Sequence, residues 1–369
     1  MNKTNACTYT QQWKRVPWLL LIPLGLLLPG LAARYPWAVE AYARHIYPWI
    51  SGALGAISGV FPFSVAEFLL YGLILGAGGW LLVSLLLTIL KKRPLVKLLR
   101  LALTLSILGG VLINVFYLVW GFNYARPTLY QLLDLPVQER PVEELEKLCR
   151  ELATEAASLR KQVAQDQAGV FCLPEGWMKS FAKLPAAYEA LGAELPLFSQ
   201  PAKRPKGVLF SQGMSWAGIA GIYIPFTAEA NVNVHQPPLL LLSSGAHEMA
   251  HYLGFAREDE ANFIAYLACM HSQDPAIVYS GVMLALIHCA NQLYLADPTA
   301  YQAVWEDCYT PGMIRDLQQY NAYWDSYEGQ VEAVVDQIND SYLKHNQQES
   351  GVQSYGMVVD LLLAWRQSG

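Results

Sequence analysis

The sequence predicts a mainly α protein with a small β region: three N-terminal helices that cross a membrane, followed by a water-facing α+β domain. Apolar residues make up 54 % of the 369-residue chain and charged residues only 15 %, a balance unusual for a wholly soluble protein. The excess of apolar residues lies in the first third, in long runs free of charge, and from about Arg126 the composition becomes that of an ordinary globular domain. Within that second part the apolar spacing is helical in the longest periodic stretches, and one glycine-punctuated stretch at 207–234 reads as short strands.

Each helical residue advances about 1.5 Å, so a span needs about 20 mainly apolar residues. Residues 16–33, 65–90 and 101–120 qualify, flanked by charges or by Trp13, Trp18, Trp80 and Trp120. Residues 34–64 carry Glu40, Arg44 and Pro-aromatic pairs, and read as an interfacial loop or short helix. Basic loops resist translocation. Lys3, Lys14 and Arg15 before the first span, and Lys91, Lys92, Arg93, Lys97 and Arg100 between the second and third, therefore belong inside. Three spans then give a multi-pass cell-membrane protein with a cytoplasmic N-terminus, a membrane domain at 1–125 and an extracytoplasmic domain at 126–369. Ala32 and Ala33 also suit a signal-peptide end, but the apolar core is long for that, and cleavage would leave the second domain on the same side. Glu67 is the one acid in the spans and stands near an end, so they read as an anchor in the lipid bilayer and not as an ion path. A net charge of −5 with one dense basic cluster argues against a nucleic-acid partner. The six cysteines form no CxxC pair and read as core residues.

In the second domain, residues 142–164 place apolar side chains at helical spacing opposite Glu and Lys, which predicts an amphipathic helix. A second helix is expected at 175–191 and a terminal one at 352–365, the latter short of a comfortable span. Between them, Val208 to Phe210 and Ile219 to Ile224 read as strands; Pro225 cannot donate to a ladder, so its strand belongs at an edge. An edge there serves either as an ordinary hairpin or as a place for an extended peptide to add a strand. Asn231 and Asn233 are candidates for contacting a peptide backbone, although Asn is equally common in turns.

The chemistry concentrates at 243–269. His247 and His251 are i and i+4, so on a helix they share a face and can offer imidazole nitrogens to one ion, while Glu248 can reach a metal-bound water. This pattern suits Zn2+ with an open position. Ser243, Ser244 and Gly245 read as the cap and turn before the helix, and Gly254 as its end. A new helix near Arg257 carries Glu258, Asp259 and Glu260, acids that a helix dipole favours in any protein but that also stand where a third ligand is needed. Glu258 is preferred because Asn262 follows it at i+4 and can hold a ligand histidine; Glu260 is the next candidate and Asp259 the last. His271 is too far along.

These residues resemble the gluzincin class of zinc metallopeptidases, in which HExxH is followed by a Glu on a second helix; Glu258, Ala261 and Asn262 resemble its ExxAN form. Over most of its length, through the stretches at 218–233, 246–269 and 339–365, the chain is also similar to an uncharacterised bacterial family with three N-terminal spans, known as a domain of unknown function. The resemblance implies a zincin-like α+β domain and a zinc-dependent hydrolase of peptide or protein substrates. Glu248 would act as general base, with a donor such as Tyr355, or less directly Tyr223 or His235, stabilising the oxyanion. Two departures stand out: the gap from His251 to Glu258 is short for a gluzincin, and Arg257 occupies the place of the third metzincin histidine, where it cannot ligate. The alternative is a non-catalytic zinc-binding membrane sensor or scaffold, for which an intact Glu248 would have no use.

Overall fold

The computed structural model describes residues 14–90, 94–138, 140–345 and 355–368. Its chain packs as two units. One takes the chain up to Tyr47 together with Val65–Arg126, and the other takes Pro48–Ser64 and everything from Pro127 on.

In the first unit a 3₁₀ turn at Val16–Leu20 runs into α1 (Leu21–Arg34), followed by α2 (Pro36–His45). After α3 (Tyr47–Ser58), which lies mostly in the second unit, come α4 (Val65–Leu90) and α5 (Pro94–Val119). α1 and α5 pack together: Asn114 Nδ2 donates to the Leu21 carbonyl at 2.7 Å and to that of Gly110 at 2.8 Å. The first two expected spans coincide with helices. The third starts at Pro94 and not at 101, because proline is pre-set for a first helical position and Lys97 and Arg100 are good helix formers. The stretch 34–64, expected as an interfacial loop or short helix, forms two short helices. Glu40, one of its charges, is buried and paired with Arg126 at 2.7 Å and Arg44 at 2.6 Å.

The second unit continues with α6 (Leu129–Leu132), α7 (Val142–Arg160), α8 (Trp177–Phe181) and α9 (Leu184–Glu194). The helix predicted at 175–191 is thus broken in two, since Pro185 restarts the chain at the first turn of α9. Next come β1 (Lys206–Gly207), α10 (Ser211–Trp216), β2 (Gly221–Ile224) and β3 (Glu229–Val232). Val208 to Phe210 do not form the predicted strand. Ser211 Oγ instead donates to the Val208 carbonyl at 2.6 Å and accepts from the Val234 N–H at 2.9 Å, tying the chain into the turn that opens α10. The sheet order is β1-β3-β2, with β1 parallel and β2 antiparallel to β3. β2 is an edge strand and stops one residue before Pro225.

Six helices complete the unit: α11 (Pro238–Tyr252), α12 (Glu258–Met270), α13 (Pro275–Ala296), α14 (Pro298–Cys308), α15 (Pro311–Asp325) and α16 (Gln330–His345), before the terminal α17 (Tyr355–Ser368). Residues 243–245 are not a cap. α11 begins at Pro238, and Ser243 is a fully buried residue inside it whose Oγ donates to the Leu240 carbonyl at 3.0 Å. The start signal is the Pro237–Pro238 pair, one before and one at the first turn.

Among the described residues four helices are long and apolar enough to cross a membrane: Val16–Arg34, Val65–Leu87, Leu99–Val119 and Pro275–Ala296. In the first three at most 11 % of the apolar window is buried; in the fourth 61 % is. That helix, α13, is therefore the core of the second unit, flanked by α7, α11 and α12. Cys149, Cys269 and Cys289 are buried thiols of this core; Cys7 lies outside the described residues.

Candidate metal centre

α11 carries His247, Glu248 and His251 on its last two turns. The helix ends at Tyr252, and Gly254, at φ +88°, reverses the chain in a conformation that side-chain-bearing residues rarely adopt. Three residues later Arg257, in extended conformation, caps the start of α12, so Glu258 is the first helical residue facing back toward α11. The short gap from His251 to Glu258 is spanned by this tight reversal.

The three side chains meet. His247 Nε2 lies 3.1 Å from Glu258 Oε2, His251 Nε2 lies 3.7 Å from Glu258 Oε1, and one donor atom from each falls within 4.8 Å of the others. The imidazole rings stand 4.7 Å apart and nearly perpendicular. The far side of each ring is also held. His251 Nδ1 is 2.7 Å from the Phe255 carbonyl, which can only accept, so in the neutral imidazole Nδ1 carries the proton and the Nε2 lone pair faces the site. His247 Nδ1 stands 2.8 Å from Asn262 Oδ1 in the same relation.

Burial works against a charged His251, but the Glu258 charge and hydrogen bond, with Glu248 nearby, push it up to about 9. Burial likewise works against the charge on Glu258, yet the two imidazoles hold that carboxyl well below the usual range. Its side chain keeps 37 % of its surface open, so water screens part of this attraction. The carboxylate thus favours positive charge on the imidazoles, and they favour its ionised form.

The other acids of the α12 start point elsewhere. Glu260 Oε1 accepts the Leu129 N–H at 2.7 Å and Arg257 Nη1 at 2.9 Å. Asp259 is buried, and burial together with the Glu260 charge pushes its carboxyl up to about 7. Of the three, Glu258 alone reaches the imidazoles. Arg257 is engaged with Glu260 and takes no part.

Glu248 is 4 % exposed and its Oε2 has no hydrogen-bond partner. Burial pushes its carboxyl up to about 7, against the pull of His247, His251 and the backbone N–H of Tyr223. That N–H belongs to β2, so the edge strand runs directly beside Glu248. Gly221, two residues earlier, is the closest approach: a Cβ there would lie 2.4 Å from Glu248 Oε1. Gly221, the Tyr223 N–H and the Phe255 carbonyl are absent from the sequence-derived candidates. The glycines of 218–221 were the only available signal, and glycine has many uses.

The remaining candidates are dispersed. Tyr355 opens α17, but its side chain lies outside the described residues. The Tyr223 ring is buried edge-on against Tyr252, so its backbone and not its hydroxyl meets Glu248. His235 Nδ1 is 3.0 Å from Tyr323 Oη, in a network with Ser215 and Asn233. Asn233 is fully buried and holds the hairpin through the Ile219 carbonyl, which rules it out as a peptide contact; Asn231 Nδ2 is turned to the Glu229 carbonyl. His271 pairs with Glu194 at 3.0 Å at the other end of α12.

No curated protein and no solved structure matches this chain. The family described as Protein of unknown function (DUF3810) matches residues 42–363, which include α11, α12 and the edge strand. By that extent of match, the chain with this convergent His-His-Glu centre belongs to the DUF3810 family.

Proposed function

We propose that the chain is a membrane-anchored zinc metallopeptidase, with its second unit outside the cytoplasm and His247, His251 and Glu258 as the metal ligands. The observation that carries the reading is the convergence of two Nε2 lone pairs and one carboxylate within 4.8 Å, beside a buried carboxylate with an unpartnered oxygen. The donor set fits zinc, which takes nitrogen and carboxylate oxygen ligands and in hydrolases keeps a fourth position open. A structural site would be closed by a fourth protein ligand, and among the described residues no fourth His, Cys, Asp or Glu joins the group.

When bound, the metal supplies Lewis acidity, lowering the pKa of water and polarising a carbonyl. Glu248 takes up the proton that the attacking water loses, on its free Oε2, and returns it to the leaving amine. Burial, which favours the protonated carboxyl, helps Glu248 to hold that proton between the two transfers. The Tyr223 N–H and the closeness of Gly221 hold that carboxylate in place. β2 has β3 on one side only, which leaves its other edge able to align an extended peptide past Glu248. Phe255 and Asn262 fix the imidazoles in the tautomer that ligates.

The test is metal analysis of the purified full-length protein, with casein and peptide cleavage compared between it and Glu248→Gln. Near-stoichiometric zinc in both, with activity only in the unsubstituted chain, is the expected result. Zinc without cleavage in either would favour the sensor or scaffold, and loss of zinc binding is expected from His247→Ala. No zinc in the unsubstituted protein would end both readings.

A further inference from the structure

α3 is built inside out for a domain surrounded by water. Ser51, Gly55 and Ser58, at helical spacing, form its buried stripe, while Trp49, Ala53 and Ile57 face outward, followed by Val60, Phe61 and Phe63 in the loop beyond. Trp49 is 80 % exposed, Ile57 69 % and Val60 78 %. A surface helix in water turns its polar residues outward. Here the polar and small residues face in, and no charged residue stands between Ile46 and Glu67.

The inward stripe is fastened to the body that holds the metal centre. Gln200 Nε2 donates to Ser51 Oγ at 2.9 Å. Lys206, ion-paired to Glu229 of β3, donates to the carbonyls of Ser58 at 2.7 Å and Phe63 at 3.0 Å. Gly55 rests against the ring of Tyr252, so close that a Cβ would lie 3.2 Å from Tyr252 Cε2. Tyr252 directly follows His251, so one layer of side chains separates the ligand helix from the outward apolar face.

We propose that this face lies in the surface of the lipid bilayer, so that the second unit is docked there and its centre acts on peptides held at the membrane surface. The docking stands on its own, while the substrate class rests on the metallopeptidase reading. Lipid is the occupant because Ser64 is bonded to Val65, the first residue of the apolar helix Val65–Leu87. The uncharged run therefore continues directly into an apolar helix long enough to span the bilayer. With 12 residues, α3 is about 18 Å long, too short to cross about 30 Å of hydrocarbon. An apolar outer face rich in Trp and Phe suits a helix lying in the interface.

The full-length protein would be reconstituted in phosphatidylcholine–phosphatidylglycerol vesicles with a bimane label at Trp49→Cys, Ile57→Cys or Phe61→Cys. Glu194→Cys serves as the water-facing reference, and the unsubstituted chain gives the background from native cysteines. Nitroxides high on the acyl chains should quench the three test positions several-fold more than the reference. Equal quenching by a water-soluble nitroxide at all four positions overturns the docking, as does shielding from both quenchers, which a second copy or another protein would produce. For the substrate class, one peptide is compared free and tethered to the vesicle by an acyl chain. Faster cleavage of the tethered form is expected, with that advantage lost in Ile57→Glu and cleavage of the free form unchanged. Equal rates would overturn the substrate class and leave the docking result intact. No cleavage of either form would overturn the enzymatic reading and the substrate class with it.

Discussion

At the residue scale, Glu248 depends on a neighbour that has no side chain. The Cβ of Gly221→Ala would fall 2.4 Å from Glu248 Oε1, so strand or carboxylate must shift. A displacement of about 1 Å at a reacting group lowers turnover about 100-fold, and zinc content should stay unchanged; activity at wild-type levels in that variant would show that Glu248 is not the base. Asn262→Ala removes the partner of His247 Nδ1 and should weaken zinc affinity about 10- to 100-fold, read by competition with a chromophoric chelator, with the helical circular dichroism unaltered. That His247, His251 and Glu258 come together beside Glu248 was legible because their relation is local: i, i+1 and i+4 on one helix, then the first turn of the next. The choice of Glu258 over its two neighbours followed from its spacing to Asn262, and the hydrogen bonds of Glu260 give that choice its physical reason. Gly221 and the Phe255 carbonyl act through backbone brought near by tertiary packing, which no spacing rule encodes.

At the scale of elements, α7, α13 and α15 are joined through one carboxylate. Asp316 accepts from Arg160 Nε at 2.6 Å and Nη2 at 3.2 Å, from Tyr279 Oη at 2.7 Å and from the Phe171 N–H at 2.7 Å, all out of water. Asp316→Ala leaves a buried guanidinium unpaired and should destabilise the protein by about 3–5 kcal/mol, measured by urea titration in detergent; a change under about 0.5 kcal/mol, the level of an ordinary surface substitution, would show that the network contributes nothing. Arg160 and Asp316 are 156 residues apart, so their pairing lay beyond sequence reasoning. Amphipathic period alone located α7, and the Pro-Pro start of α11 was missed because the serines at 243–244 offered a more familiar cap signal. The run Leu239 to Leu242 that precedes them is buried throughout, so the core sets where that helix begins.

At the scale of the whole molecule, hydropathy identified the three long apolar helices of the first unit, while α13, equally long, owes its apolar character to the core. The basic residues at 91–93 predict that trypsin cuts there only in inside-out membrane vesicles, whereas sites beyond Pro127 are cut only from the opposite face. Cleavage of both from one side would sink the proposed sidedness. Charge and length assigned residues 48–64 to the membrane part, but their packing puts them in the second unit, a matter of tertiary contacts that composition does not record. One practical consequence concerns expression. A fragment cloned from Pro127 onward would lack α3, stripping Lys206 of two carbonyl acceptors and Tyr252 of its cover. Such a truncation should emerge insoluble, and supplying the missing piece as a fused or co-expressed peptide should rescue it. During synthesis, too, the ribosome delivers this piece nearly two hundred residues ahead of the helix it covers, so the domain cannot close until both have emerged.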